Sequence, residues 1–417
     1  MISTQVAAGA RVKELTPTGC SILSICRMAY GPLLMAAGAP IRVPGKPSIL
    51  SRVVTASSDR KERGWYSGGT ESEAWRRERR AFFDALLQAR PADVHTQDSE
   101  KGETVLHRLL KQGSQQALDV ASRDNGRDRY YYSSYSGPRD PAGIFSMVEA
   151  CVAAGGNLNQ ASADGATPFL QAVAWMDEER VSALLSLGAD ATVVDSRGRG
   201  ALHYAVARAQ TEVSGYGREH DEKATKLGAL FRTLLAAGAD PKQTGLLKLK
   251  WCGKFAIERV TPLVAIVALG ENILPSEKGY DSPNKWKVVS EVVHALFAVS
   301  DLTAQLRDES LLTLCVSWAP IEFVLQLLDG AELNLDQTGT DGDTPLIRAL
   351  KLPDDGDTKA EKYGAAKSAL VELLLARGAG PNVCDDEGHS PLYHAGYQKR
   401  MGDVIRKAGG YRSNIET

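Results

Sequence analysis

The densest group able to move protons is Arg218-Glu219-His220-Asp221-Glu222, where one histidine stands among carboxylates. General acid–base catalysis needs such a ring held at hydrogen-bond distance from a substrate. Here the group lies in a polar insertion, which reads as a solvated charged loop. A second candidate is the basic run Trp75-Arg76-Arg77-Glu78-Arg79-Arg80. Phe82, Phe83, Leu86 and Leu87 follow at helical spacing, so the arginines read as the start and outer face of a helix, tempered by Glu78 and nearby acids. The six cysteines, Cys20, Cys26, Cys151, Cys252, Cys315 and Cys384, are scattered, with no CxxC pair and no companion histidine spacing. They suggest neither a zinc centre nor a disulfide framework, and read as buried, reduced thiols. No glycine-rich phosphate loop, nucleophile elbow or HExxH run is present. The expectation is a protein with no catalytic residues, no metal and no cofactor.

Composition agrees with that expectation. Charge is nearly balanced, with 49 Lys+Arg against 51 Asp+Glu, which lacks the basic excess of a nucleic-acid binder. Hydrophobic residues make up 43% of the chain and aromatics only 6%, so a core of Leu, Ala and Val is expected. The apolar stretch from Cys20 to Ile41 contains Arg27, Pro32 and Pro40, and no basic run followed by an apolar core precedes it. It is read as part of the fold rather than as a signal or membrane segment. The expected location is the cytoplasm.

The elements that must position any site come from an internal repeat. One unit opens Asp164-Gly165-Ala166-Thr167-Pro168-Phe169-Leu170 and closes Leu184-Leu185-Ser186-Leu187-Gly188-Ala189-Asp190. The next opens at Ser196-Arg197-Gly198-Arg199-Gly200-Ala201-Leu202-His203 and closes Leu234-Leu235-Ala236-Ala237-Gly238-Ala239-Asp240. Threonine at a helix N-cap accepts a bond from an orphan N–H, and proline at the first helical position needs no donor. Thr167-Pro168, Thr261-Pro262, Thr344-Pro345 and Ser390-Pro391 are such starts, and Thr104-Val105-Leu106-His107 keeps the pattern without proline. Gly-Ala helix ends recur at Gly38, Gly188, Gly238, Gly330 and Gly378, where glycine suits a left-handed cap.

This pattern resembles the ankyrin repeat, with its period of about 33 residues and its T-P-L-H-x-A opening. Leu23, Leu50, Leu106, Phe169, Leu202, Leu263, Leu312, Leu346 and Leu392 mark nine first-helix anchors. The resemblance implies an all-α solenoid of about nine stacked helix–turn–helix ankyrin repeats with short β-hairpin fingers, spanning 1–417 as one domain. A partial N-terminal cap is expected at 1–12 and a C-terminal cap at about 389–417. The match is weak around Leu50, where Pro91 replaces the usual glycine, and around Leu312, where no Thr-Pro survives. The resemblance also implies that His107 and His203 are structural hydrogen-bond partners.

Phe169 to Gly188 spans 19 residues, whereas five other units are lengthened to between 32 and 49. The insertions fall at about 57–74, 119–143, 209–224, 270–284 and 352–363, all between first and second helices. In the ankyrin fold that turn lies at the edge opposite the fingers, so the insertions are expected along one side. Eight of 13 tyrosines fall there: Tyr66, Tyr130, Tyr131, Tyr132, Tyr135, Tyr216, Tyr280 and Tyr363. Trp65 joins them, and Arg129 to Pro138 reads as tyrosines amid serine and glycine. That is the composition of antibody-type binding loops, in which rigid aromatic area comes at low entropy cost. Partner contact and local packing between neighbouring insertions are both open readings. Leu247, Leu249 and Trp251, then Cys252-Gly253-Lys254, then Phe255 and Ile257 read as a hairpin. It either presents Trp251 as a second contact or folds back on its neighbours.

The expected function is binding to one specific protein partner, by a monomer that inhibits, neutralises or tethers it, as bacterial immunity proteins do. Trp65, Tyr66, Tyr130, Tyr131, Tyr132, Tyr135, Tyr216, Trp251 and Tyr280 are the candidate contact residues. A secreted or host-directed ankyrin effector or adaptor is the second reading. An enzyme assembled within the insertions near His220 is the third. No nucleic acid and no membrane are expected as partners.

Overall fold

The structure is a computed structural model. It describes residues 14, 21, 23, 28–41, 48–55, 73–98, 101–111, 141–214, 220–251, 254–271, 285–307, 309–316, 319, 321–339, 341–352, 367–396 and 398–412. The chain divides into two compact units, Met1–Tyr204 and Ala205–Thr417, with the division inside the helix Ala201–Ser214.

In the first unit the helices Gly31–Ala36, Ile49–Thr55, Glu73–Ala89, 105–111, Pro141–Ala153, Pro168–Val173 and Glu178–Ser186 follow in order. The helix Glu73–Ala89 packs on Gly31–Ala36, on Ile49–Thr55 and on Pro141–Ala153. In the second unit the first helices form a row, in which Pro262–Glu271 packs on Leu311–Val316, that helix on Pro345–Leu350, and that one on Pro391–His394. The second helices pair alongside, His220–Ala236 with Lys285–Phe297 and Lys367–Ala376 with Lys399–Lys407. Two rows of helices are what short amphipathic helix pairs form when each can bury its apolar face only against its neighbours. The core is aliphatic as composition required: Leu106, Leu170, Val181, Leu230, Leu263, Leu346 and Leu374 are all buried.

Local chemistry sets the helix starts. Thr167 Oγ1 accepts the Leu170 backbone N–H at 3.2 Å, and Thr344 Oγ1 accepts that of Ile347 at 3.2 Å, each with proline next in sequence. Thr167→Ala should cost about 1 kcal/mol, measured as a lower denaturation midpoint, and an unchanged midpoint would show that the cap contributes nothing. Where Thr-Pro is missing, Ser310 takes the role. Its Oγ accepts the Thr313 N–H at 3.0 Å at the start of Leu311–Val316, after a small hairpin of β3 (Gln305–Leu306) and β4 (Glu309–Ser310).

The helix ends follow the sequence with one correction. Gly38, Gly188, Gly238 and Gly378 take left-handed φ values of 85°, 94°, 91° and 98°. Gly330 does not; it closes the helix Ile321–Gly330 in ordinary conformation. A Cβ there would meet only the terminal Cδ1 of Leu302, at 2.9 Å, which a shift of that side chain relieves. Pro91 begins a 3-10 turn, Pro91–His95, that buries Val94 in place of a glycine cap.

A second correction concerns the arginine run. The helix Glu73–Ala89 forms as expected and Arg77 lies in solvent beside Glu73, but Arg79 is buried. Arg79 precedes Phe82, Phe83 and Leu86 by three, four and seven residues, which places it on their face. Arg80 pairs with Asp84 at 2.8 Å and contacts Ser146 Oγ, so the run is tied into the fold on two sides.

Successive loops are laced by backbone bonds and by asparagine clamps. Ala163 N donates to Lys101 O at 2.8 Å and Ser196 N to Asp164 O at 3.0 Å. Asn159 Nδ2 donates to Gly188 O while Asn159 Oδ1 accepts from Asp190 N. Asn382 does the same with Gly409 O and Tyr411 N. Each asparagine stands four residues after a left-handed glycine, Gly155 or Gly378, and grips the corresponding turn of the next unit.

Candidate interaction surface

The lengthened finger is a regular antiparallel hairpin of β1 (Gly245–Trp251) and β2 (Lys254–Val260), in register from Gly245 opposite Val260 to Trp251 opposite Lys254. Alternation along β1 puts Leu247 and Leu249 on one face, and both are buried, with β1 packed on the helix Pro262–Glu271. The other face holds the Lys248–Ile257 and Leu246–Arg259 pairs. Ile257 is 67% exposed there, flanked by cationic residues. A buried aliphatic face and an exposed isoleucine on the same ribbon mean that the hairpin both packs back and leaves an apolar contact outside. Glu258 accepts from Arg307 Nε at 2.7 Å, which ties the ribbon to the β3–β4 turn. Trp251 ends β1, and its side chain lies outside the described residues.

Trp65, Tyr66, Tyr130, Tyr131, Tyr132, Tyr135, Tyr216 and Tyr280 also lie outside the described residues, as do most of the insertion stretches that contain them. The same is true of Arg218 and Glu219, and of the side chain of His220, whose backbone opens the helix His220–Ala236.

The described histidines of the repeat motif make structural bonds. His107 Nδ1 accepts the Thr104 backbone N–H at 3.0 Å, and its Nε2 sits 3.0 Å from Ala166 O in the next loop. His203 Nδ1 accepts the Gly200 N–H at 3.3 Å in the same way. The Cys151 and Cys315 thiols are buried and pushed up to about 12 by desolvation, so both are held as unreactive thiols.

Finger bases carry polar clusters that the sequence reading did not assemble. Asp195 Oδ1 accepts from Arg197 N and Arg199 N, and its Oδ2 accepts Arg199 Nε at 2.7 Å and Tyr204 Oη at 3.0 Å. In the last finger Asp385, His389 and His394 hold the same three offsets, zero, four and nine. Asp385 Oδ1 accepts His389 N at 2.8 Å, and its Oδ2 lies 2.7 Å from His394 Nε2. Burial pushes the Asp385 carboxyl up, but the His389 N–H and the His394 ring outweigh it and hold the group below its ordinary range. Among the described residues this trio has the donor atoms to hold a metal ion. The D-x3-H-x4-H spacing was visible in sequence, but only the folded loop brings its members together.

No family model matches the sequence. A 72-residue stretch is 38% identical to YahD, an ankyrin repeat protein of Escherichia coli (strain K12), over 17% of this chain and 32% of the relative. The match thus spans about a third of the length of that curated relative. The fold is similar to the ankyrin repeat domain of Bcl-3, a member of the IkappaB protein family, at 18% identity and a TM-score of 0.41, covering 74% of this chain and 100% of that one. It is also similar to EF0377, an ankyrin repeat protein, at 18% identity and a TM-score of 0.38, over 57% of this chain and 96% of the other. Among the described residues no helix is long and apolar enough to cross a membrane.

Proposed function

We propose that this chain, whose repeats resemble the ankyrin repeat and which is 38% identical to an ankyrin repeat protein over 72 residues, works by occupying one specific protein partner, which it inhibits, neutralises or tethers. The observation that carries the reading is Ile257, 67% exposed between cationic neighbours on a hairpin whose other face is anchored by Leu247 and Leu249. A rigid ribbon presents an apolar side chain at low entropy cost, and a basic rim favours an acidic partner surface. The tyrosine-rich insertions supply a further contact edge in this reading, with Tyr130, Tyr131, Tyr132 and Tyr135 its densest group. Unique loops and a lengthened finger favour a dedicated partner over a generic scaffold.

The test uses the full chain as bait in its native cells, with two variants beside it. One carries Ile257→Asp; the other carries serine at Tyr130, Tyr131, Tyr132 and Tyr135. Circular dichroism verifies that each stays folded. Recovery of one partner should drop at least about tenfold for one or both variants, a loss of about 1.4 kcal/mol. Equal recovery by all three baits sinks the assignment of the contact to these surfaces. The captured protein's identity separates a neutralised toxin from the target of a host-directed effector.

A further inference from the structure

Asp385, His389 and His394 each offer one ligand atom, and the three atoms lie within 4.8 Å of one another. Asp385 Oδ2 is 2.7 Å from His394 Nε2 and 3.9 Å from His389 Nδ1. A tetrahedral zinc ion with bonds of about 2.0–2.1 Å spaces its ligand atoms roughly 3.3 Å apart. Those two separations straddle that value, and with the third pair within 4.8 Å the side chains would shift by up to about 1.5 Å to admit the ion.

The cluster also differs in charge from its counterpart. At the same offsets in the first unit, the Arg199 guanidinium supplies a permanent positive charge to Asp195. In the last finger an imidazole stands in that place, and another replaces the Tyr204 phenol. The Asp385 side chain is only 4% exposed, and Glu387 brings a second carboxylate to 3.2 Å from His389 Nδ1. Two carboxylates thus converge on two imidazole rings. His389 Nδ1 is shut off from solvent and faces the Glu387 carboxylate at 3.2 Å without an aligned hydrogen bond, although buried polar atoms are ordinarily paired. Its ring is held in place by stacking on Tyr393, with centroids 3.8 Å apart and planes 4° from parallel. Arg412 lies over the Tyr393 ring at 5.6 Å. A stacked imidazole whose Nδ1 makes no aligned hydrogen bond, beside a second imidazole and a buried carboxylate, is the donor set that suits a zinc-class ion. Magnesium and calcium prefer oxygen donors.

We propose that Asp385, His389 and His394 bind one zinc-class divalent ion, with the exposed Glu387 or a water completing the shell. The ion clips the last finger loop to the end of the helix Pro391–His394. It supplies the positive charge that Arg199 supplies in the earlier repeat. The role is structural and independent of where the protein partner docks.

The full-length, untagged chain, first stripped with a chelator and dialysed, is titrated with zinc chloride, and bound metal is counted by elemental analysis. Cobalt(II) substitution reports the ligand set by its visible absorption. Wild type should bind one ion that magnesium does not displace, and its thermal midpoint should rise with zinc concentration. The decisive variant carries His389→Arg and His394→Tyr together, which copies the Asp195, Arg199 and Tyr204 arrangement and removes both nitrogen ligands. It should fold without metal, bind one ion fewer than wild type, and show no zinc-dependent midpoint shift. The single variants His389→Gln and His394→Gln each remove one ligand and should each abolish the cobalt absorption band of the site. Equal metal content in wild type and double variant, or a cobalt spectrum unchanged in both single variants, overturns the proposal. So does a wild-type chain that binds no zinc.

Discussion

Asp195→Ala is expected to cost about 3–5 kcal/mol of stability, the range for removing one partner from a buried ionic network. The Asp195 side chain is 1% exposed and Arg199's is 11%. Four donors converge on the carboxylate: the Arg197 and Arg199 backbone N–H groups, Arg199 Nε and the Tyr204 hydroxyl. Burial alone would push the Arg199 guanidinium toward neutrality, yet the Tyr204 and Asp195 interactions outweigh it and leave the charged form favoured. Burial likewise pushes the Tyr204 phenol well up, so it stays a neutral donor. Without the carboxylate, a charged fork and a hydroxyl stay buried with their main acceptor gone. Two backbone N–H groups at the finger turn lose theirs as well. The large cost therefore comes from the stranded donors rather than from the net worth of the ion pair. Asp195→Asn keeps the shape and one acceptor but loses the charge, and should fall between wild type and Asp195→Ala. Urea denaturation followed by circular dichroism checks the series. A cost below about 1 kcal/mol for Asp195→Ala would mean that the cluster relaxes and its donors find water.

What the sequence made legible was what depends on neighbours a few residues apart. Thr167-Pro168 and Thr344-Pro345 start helices because cap and helix lie within four residues. Gly188 and Gly378 end them because a left-handed turn is a local demand. Ser310 escapes a Thr-Pro pattern, because a hydroxyl without proline serves once a two-residue strand pair delivers it. Gly330 shows the opposite case, a residue with the expected identity that ends its helix without the left-handed turn. Arg79 was within reach of helical periodicity, because the face of Phe82 and Phe83 contains it. A guanidinium's charge favours solvent, whereas the spacing of Arg79 to Phe82 and Phe83 places it inward. The asparagine clamps and the Asp385, His389 and His394 trio were the least visible. Their members meet only when a finger loop folds back on its own helix or grips the turn of the next unit. The aromatic loops were the converse case. Their composition was plain, while Tyr130 and its neighbours lie outside the described residues.

His107 supports the second large effect, and it carries a pH signature. The ring is fully buried, with Nδ1 accepting from the Thr104 backbone N–H and lying 2.8 Å from Thr104 Oγ1. Nε2 faces Ala166 O at 3.0 Å, so the partners fit a neutral ring with its hydrogen on Nε2. Burial lowers the His107 pKa below its ordinary 6.5, against the raising influence of the Ala166 carbonyl and the Glu103 and Asp164 carboxylates. The folded value being the lower one, the unfolded chain binds more protons in the interval between the two values. Stability there rises with pH. The ring's contribution is complete above about 6.5 and is lost as pH falls from there toward the folded value. His107→Ala should cost about 2–4 kcal/mol at pH 7.5, because it leaves a cavity and strips partners from a buried N–H and a buried carbonyl. The same variant removes this proton linkage, so its urea midpoint should fall less than wild type's between pH 7.5 and 5.5. The difference between the two curves isolates His107 from the other titrating groups, which both proteins share. Parallel curves would mean that the ring binds a proton equally well folded and unfolded, and the neutral bridge from Thr104 to the next loop would then have to be abandoned.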